Sequence, residues 1–365
     1  MARTARNETR ALKVGGRPLG GGAPVLVQTM SDVNPHDAPG LSAQIARCAA
    51  LGCDVFRLTV PDLDAARVLG EVRRTSPIPL VADIHFDYRC ALAAIDAGVD
   101  KLRLNPGNIG SRERIQAVVR AAKAKGVPIR IGVNLGSLER DLAARLASGA
   151  RTSDRIAEAL CASALRHLKL FEDEGFRDVV ISAKASDVVS TLATYRMLAE
   201  KTDCPLHVGV TEAGTFLPGA VRSSVALGIL LEEGLGDTIR VSLTDRPEKE
   251  VRVGLEILRA LGLRTPGPAV TSCPTCGRTR VDVARIANEV EEALEKLQAE
   301  DPARKLPHVA VMGCAVNGPG EAKGADIALC GGAGEFLLYI KGEQVCKVSE
   351  ADATRKVLEH VALLR

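Results

Sequence analysis

The sequence predicts an α/β protein, an N-terminal (β/α)8 TIM-type barrel over residues 1–263 followed by a small α+β domain over 264–365. Short β-branched runs alternate with helix-period segments eight times from about residue 25 onward, which implies a parallel sheet. The alternation occupies roughly 240 residues, the length of a closed barrel. It ends at Leu263-Arg264-Thr265-Pro266-Gly267-Pro268, a breaker-rich linker after which the composition changes.

Taken in order, Lys13-Val14-Gly15-Gly16-Arg17-Pro18-Leu19 reads as a hairpin across the barrel bottom. Gly20-Gly21-Gly22 reads as a turn rather than a phosphate loop, because no helix start follows closely. The strand runs are Val25–Val27, Val55–Leu58, Leu80–Ala82, Lys101–Leu104, Ile129–Val133, Val179–Ile181, Leu206–Val210 and Thr238–Val241. Helical periodicity appears at Leu41–Leu51, Tyr88–Ala97, Ile115–Ala124, Ser153–Glu174 and Val188–Lys201, with Gly52, Gly98 and Gly126 as stop signals. A doubly wound open sheet is the alternative, and the count of eight favours the barrel. Beyond the linker come a helix over Val281–Ala299 and a strand over His308–Met312. Ile327–Leu329 and Phe336–Ile340 form a hairpin, and a final helix opens at Ser349 with Asp352 completing a capping box.

Apolar residues make up 46% of the 365, but with six Phe, three Tyr and no Trp the core must be aliphatic. The net charge of +3 gives no sign of a nucleic-acid arm or a membrane-surface protein. No apolar run reaches the roughly 18 residues of a membrane span. The basic N-terminus lacks the apolar region of a secretion signal, so a cytoplasmic location is expected. Ten cysteines in such a chain argue against a disulfide framework. Cys48, Cys53, Cys90, Cys161 and Cys204 sit in or beside apolar stretches as small hydrophobes.

In a barrel of this type function gathers at the C-terminal strand ends. Those ends carry Gln28, Arg57, Asp83 with His85, Arg103 with Asn105, and Arg130 with Asn134. Later strands add Ser182 with Lys184, Thr211 with Glu212, and Arg240 with Ser242. Five cations would then converge on one mouth. Two unit charges 4 Å apart at an effective dielectric near 20 interact by about 4 kcal/mol, so a multiply charged anion is required among them. Arginine forks suit phosphate oxygens, which makes a diphosphate the simplest such anion. The competing reading is that each Arg forms a structural ion pair with a barrel acid. Glu212 and His85 are the candidates for proton transfer. The absence of a P-loop or of Gly-x-Gly-x-x-Gly after a strand counts against nucleoside triphosphates and dinucleotides.

Cys273, Cys276 and Cys314 lie instead among Gly, Pro, Ser, Thr and Asn. A zinc ribbon normally supplies a second Cys-x-x-Cys, and a thioredoxin-type dithiol opens a helix after a strand; neither pattern is present. Three thiolates and a weaker fourth ligand suit a [4Fe–4S] cluster. That fourth ligand is Glu321, Cys330, Cys346 or a water; a carboxylate on iron is displaced more easily than a thiolate. A phosphosugar enzyme with a structural zinc, and a non-catalytic iron–sulfur scaffold, are the rival classes.

The segments Ser272-Cys273-Pro274-Thr275-Cys276-Gly277-Arg278 and Met312-Gly313-Cys314-Ala315-Val316-Asn317-Gly318-Pro319-Gly320-Glu321 closely resemble those of the 4-hydroxy-3-methylbut-2-enyl diphosphate synthase family of the methylerythritol phosphate isoprenoid pathway. So do the stretches 81–89, 103–110 and 209–214, and the resemblance runs from about residue 11 to about 350 in the shorter, bacterial form. It implies reductive opening and dehydroxylation of 2-C-methyl-D-erythritol 2,4-cyclodiphosphate with two electrons. It further implies that Cys273, Cys276, Cys314 and Glu321 ligate the cluster. By the same resemblance Arg57, Arg103, Arg130, Lys184 and Arg240 bind diphosphate, helped by Asn105, Asn134, Thr211 and Ser242. Glu212 and His85 would stand near the reacting carbons. Flavodoxin or ferredoxin would supply electrons to a homodimer in which the cluster domain of one subunit covers the barrel mouth of the other.

Overall fold

The computed structural model describes residues 5–264, 270–301, 304–314 and 318–364; the side chains of Pro106, Ala299, Pro319, Glu321 and Ala322 lie outside that description. The chain divides into two compact units between Arg264 and Thr265.

In the first unit eight parallel strands form a single sheet. They are β1 (Leu26–Met30), β2 (Val55–Thr59), β3 (Leu80–Ile84), β4 (Lys101–Leu104), β5 (Ile129–Asn134), β6 (Val179–Lys184), β7 (His207–Val208) and β8 (Thr238–Ile239). The spatial order is β6-β5-β4-β3-β2-β1-β8-β7, and a parallel bridge from Ile181 to Leu206 brings β6 back to the residue leading into β7, closing the ring. Each predicted run overlaps a strand, although the runs at 206–210 and 238–241 shorten to His207–Val208 and Thr238–Ile239. Strands such as β3 are buried at every position, as expected where side chains alternate between barrel interior and helix layer.

Helix starts are fixed by side-chain caps. Asp37, Asp62, Asp87, Thr152 and Asp187 each accept a backbone N–H of the following first turn. Gly126 closes the helix Arg112–Lys125 at φ 65°, a conformation that favours glycine.

The leading hairpin pairs Leu12–Val14 with Arg17–Leu19. Its Leu12, Val14 and Leu19 pack with Leu26, Val55, Val81 and Val180, the first or second residues of four barrel strands. That apolar layer plugs the bottom. Gly21 N–H donates to Thr9 Oγ1 (3.1 Å) and Gly22 N–H to the Arg6 carbonyl (3.0 Å), so the glycine turn spends its donors on the N-terminal segment.

The second unit is a five-stranded sheet in the order β9 (Val270–Ser272), β10 (Val309–Met312), β11 (Ile327–Gly331), β12 (Glu335–Ile340), β13 (Glu343–Ser349). The first three strands are parallel and the last three antiparallel. Alternation sorts the faces. Val309, Val311, Ile327, Leu329, Phe336 and Leu338 pack under the helices Val283–Glu300 and Ala353–Leu363, while Ala310, Met312, Ala328 and Cys330 form a thin opposite layer. The edge strands β9 and β13 add to the predicted elements. Both are short of buried apolar residues, so ladder pairing rather than an apolar run defines them. Ser349 caps a 3-10 turn over Glu350–Asp352, and the last helix starts at Ala353, not at Ser349.

Because Leu19 is 1% exposed in the plug, Leu19→Ala should cost about 2–5 kcal/mol of stability, read from the midpoint of urea unfolding.

Candidate active site

Strand parity places one face of each barrel strand inside. Alternate residues of β2 to β6 bring Arg57, Asp83, Arg103, Arg130, Ser182 and Lys184 to the C-terminal mouth, and Arg240 follows β8. They line one cavity of about 210 Å3 together with Met30, His85, Asn134, Thr211 and Ser242. Nine of the sequence-predicted substrate and proton-transfer residues therefore meet there: Arg57, His85, Arg103, Arg130, Asn134, Lys184, Thr211, Arg240 and Ser242.

Two others do not line this cavity. Asn105 is 1% exposed, its Oδ1 accepting Gly107 N–H (3.1 Å) and its Nδ2 having no hydrogen-bond partner. Glu212 is exposed, on the loop beyond β7, at φ 52°; so bulky a residue in the left-handed region is a strained position of the kind found at functional loops.

Carboxylates settle part of the cation problem. The buried Asp83 is shared by Arg57 and by Arg103, whose Nη1 lies 3.1 Å away, and His85 Nε2 stands at 3.6 Å. Burial pushes the Asp83 carboxyl up, but the Arg57 and Arg103 charges outweigh it and hold the group well below the carboxylate range. Arg240 forks onto Glu250 through Nε and Nη2, both at 3.2 Å. Glu250 also accepts Thr29 Oγ1 (2.6 Å) and Leu243 N–H (3.0 Å). Sequence reasoning missed Glu250. Its signal is an acid on the buried stripe of the amphipathic helix Pro247–Ala260, four and seven residues before Gly254 and Ile257.

Among the described residues, the remaining two cations have no carboxylate in hydrogen-bond contact. Arg130 Nη1 donates to Ser182 Oγ (2.7 Å), while its buried Nε and Nη2 have no partner. Burial, then the charges of Arg57 and Arg103, push Arg130 well below its ordinary value. A guanidinium keeps its proton regardless, so this pressure stays as an electrostatic cost that an anion relieves. Burial, then Arg240, Arg130 and Arg57, press Lys184 in the same direction. Glycines make room for these groups. A Cβ at Gly132 would lie 2.5 Å from Arg103 Nε, and one at Gly209 would lie 2.8 Å from Lys184 Nζ.

In the second unit Cys273 follows the edge strand β9 and Cys314 follows β10 by two residues, because the parallel pairing sets Ser272 beside Val311. Cys273, Cys276 and Cys314 line one cavity of about 230 Å3 with Arg278, Thr279 and Gly318. Gly313 N–H donates to Cys273 Sγ (3.1 Å). Hydrogen bonds from the backbone and side chain of Arg278 lower the Cys276 thiol, favouring thiolate. Three soft donors around one glycine-lined hollow fit an iron–sulfur cluster, although among the described residues no three ligating groups already converge as a metal site. Cys330 is buried beside Met312 in the thin layer, burial pushing its thiol up to about 11, and it does not line the hollow. Cys346 packs with the opposite, helix-covered face. Neither is among the described residues that line the hollow. Glu321 ends a short helical turn, Gly318–Glu321, with its side chain outside the described residues, as are Ala315, Val316 and Asn317.

A family model described as the GcpE TIM-barrel domain matches residues 9–255, and one described as the GcpE protein C-terminal domain matches 269–363. A Symbiobacterium thermophilum protein named 4-hydroxy-3-methylbut-2-en-1-yl diphosphate synthase (flavodoxin) is 50% identical over 98% of this chain and 93% of its own length. Proteins of the same name from Geobacter sulfurreducens and Maridesulfovibrio salexigens are 50% and 51% identical, over 97% and 94% of this chain and 97% and 92% of theirs.

Asp83→Asn leaves two buried guanidinium groups without their carboxylate, so at pH 7 it should destabilise the protein by about 3–5 kcal/mol in chemical denaturation. The folded-state value of Asp83 is depressed, so its contribution is complete above the unfolded carboxylate value near 4 and fades as pH falls below it. The difference between the two proteins should accordingly shrink in acid.

Proposed function

This chain belongs to the GcpE family, and from that premise we infer that it is an iron–sulfur oxidoreductase that reductively opens and dehydroxylates 2-C-methyl-D-erythritol 2,4-cyclodiphosphate to 4-hydroxy-3-methylbut-2-enyl diphosphate in isoprenoid precursor biosynthesis. The observation that carries the substrate assignment is the barrel mouth, where five cations face two carboxylates and Arg130 keeps unpartnered N–H groups. A cyclic diphosphate brings two negative charges and planar sets of oxygens to that imbalance.

In this reading Arg130 and Lys184 engage the diphosphate most directly, since neither is held by an acid. Arg57, Arg103 and Arg240 arrive pre-oriented by Asp83 and Glu250, so little side-chain entropy is lost when they meet the anion. Asn134, Thr211 and Ser242 offer neutral hydrogen bonds at the rim. His85 lines the cavity and Glu212 stands on the neighbouring loop; they remain the two groups assigned to proton transfer.

Cys273, Cys276 and Cys314, with Glu321, would hold the [4Fe–4S] cluster, which supplies low-potential electrons one at a time. Reduced flavodoxin is the proposed donor, after the names of the relatives, with ferredoxin as the alternative. The working form is taken to be a cytoplasmic homodimer, as the resemblance implies. No described helix is long and apolar enough to cross a membrane.

Anaerobically purified protein should contain iron and sulfide. Cys276→Ser should lose most of the visible charge-transfer absorption after reconstitution; an unchanged spectrum refutes the ligand assignment. Arg130→Met should weaken binding of the cyclic diphosphate by roughly 10- to 100-fold in titration calorimetry, and unaltered affinity would refute the phosphate assignment.

A further inference from the structure

Below the mouth the barrel interior holds a second polar tier that the substrate reading does not use. Lys101 is two residues before Arg103 on β4, so it points to the same interior face, one tier deeper. It is 0% exposed, and its Nζ has no hydrogen-bond partner. Gln28 from β1 leaves both amide atoms unpartnered, and His207 from β7 leaves Nε2 unpartnered while Nδ1 meets Thr238 Oγ1 at 2.6 Å. Beneath them lies the apolar plug of Leu12, Val14 and Leu19, which seals the tier from the barrel bottom.

The charged surroundings of Lys101 are one-sided. Arg57 from β2 and Arg130 from β5 act on it directly, and His207 feels Lys101 and Lys184 together with those same arginines. The carboxylates of this interior are spent higher up, Asp83 from β3 on Arg57 and Arg103, and Glu250 on Arg240. Among the described residues this lysine has neither a carboxylate partner nor a hydrogen bond. Burial, followed by the Arg130 and Arg57 charges, presses it down to about 7, and His207 is pressed well below its ordinary value by burial and the same cations.

We propose that Lys101 is the proton acceptor of the diphosphate site, uncharged in a large fraction of substrate-free molecules and protonated when the dianionic substrate seats in the mouth above it. The proposal rests on the reading of that mouth as the diphosphate site. An anion bound among Arg57, Arg130 and Lys184 offsets the charges that disfavour a lysine ammonium, so binding and protonation favour one another. The barrel then carries one fewer buried cation while it waits and gains one when a counter-charge arrives. Lys101 thereby acts on the bound substrate through the arginine tier, as a positioning residue.

The test is titration calorimetry of the cluster-loaded protein, without reductant, with the cyclic diphosphate in buffers of different ionisation enthalpy. Each phosphorus of a cyclic diphosphate keeps only one strongly acidic hydroxyl, so the ligand itself exchanges no proton near neutrality. Uptake of about half a proton per bound substrate is expected at pH 7, falling toward zero near pH 5.5 and approaching one near pH 8.5. Affinity should correspondingly weaken as pH rises through the substrate-free midpoint. Lys101→Met should still bind, more weakly, with the uptake abolished. A heat independent of buffer in the native protein overturns the proposal without recourse to any variant. Full uptake retained by a folded K101M also overturns it, sending the proton to Lys184 or His207. Absence of any binding instead sinks the diphosphate reading, and the proposal with it.

Discussion

Positive charge concentrated inside a closed barrel is the constraint on which the rest of the first unit depends. Parallel strands deliver their interior side chains to one small volume, and here that volume holds Arg57, Arg103, Arg130, Lys184 and Arg240 around about 210 Å3. Desolvated like charges oppose folding unless something offsets them. Asp83 and Glu250 offset three of the five, fixing the guanidinium planes in the process. Glycines at 132 and 209 let Arg103 and Lys184 lie where a Cβ would otherwise stand. The uncompensated remainder is what gives the site its demand for an anion.

Much of this was legible in the sequence because barrel geometry is periodic. Eight β-branched runs located the strands, and their C-terminal ends pointed to the residues that meet at the mouth. The ion pairs were less legible, since they join residues far apart in the chain. Arg57 and Asp83 are separated by 26 positions, and whether a strand-end Arg meets an acid or a substrate depends on register between strands. Glu250 lay on a helix stripe that looks apolar apart from that one residue. Lys101 was hidden in plain view, two residues before Arg103 within a run recognised only as a strand.

The second unit was harder to read for the opposite reason. Its edge strands contribute few buried apolar residues, so Val270–Ser272 and Glu343–Ser349 leave little trace in a hydrophobic pattern. Yet the edge strand β9 matters most, because its pairing with β10 sets Cys273 beside the loop carrying Cys314. The spacing of the cysteines pointed to one site, and the parallel ladder supplies the physical reason. Among the described residues Cys273, Cys276 and Cys314 line the hollow, while Cys330 and Cys346 belong to opposite packed layers.

The central claim is that the barrel mouth recognises its substrate by the diphosphate charge. It is tested most directly by comparing, in one calorimetric series on the full-length protein, the affinity for 2-C-methyl-D-erythritol 2,4-cyclodiphosphate with that for the uncharged tetrol 2-C-methyl-D-erythritol. The account predicts saturable binding of the cyclic diphosphate that weakens steeply with added salt, and no measurable binding of the tetrol. Equal affinity for the two, or binding of the cyclic diphosphate indifferent to salt, would contradict it.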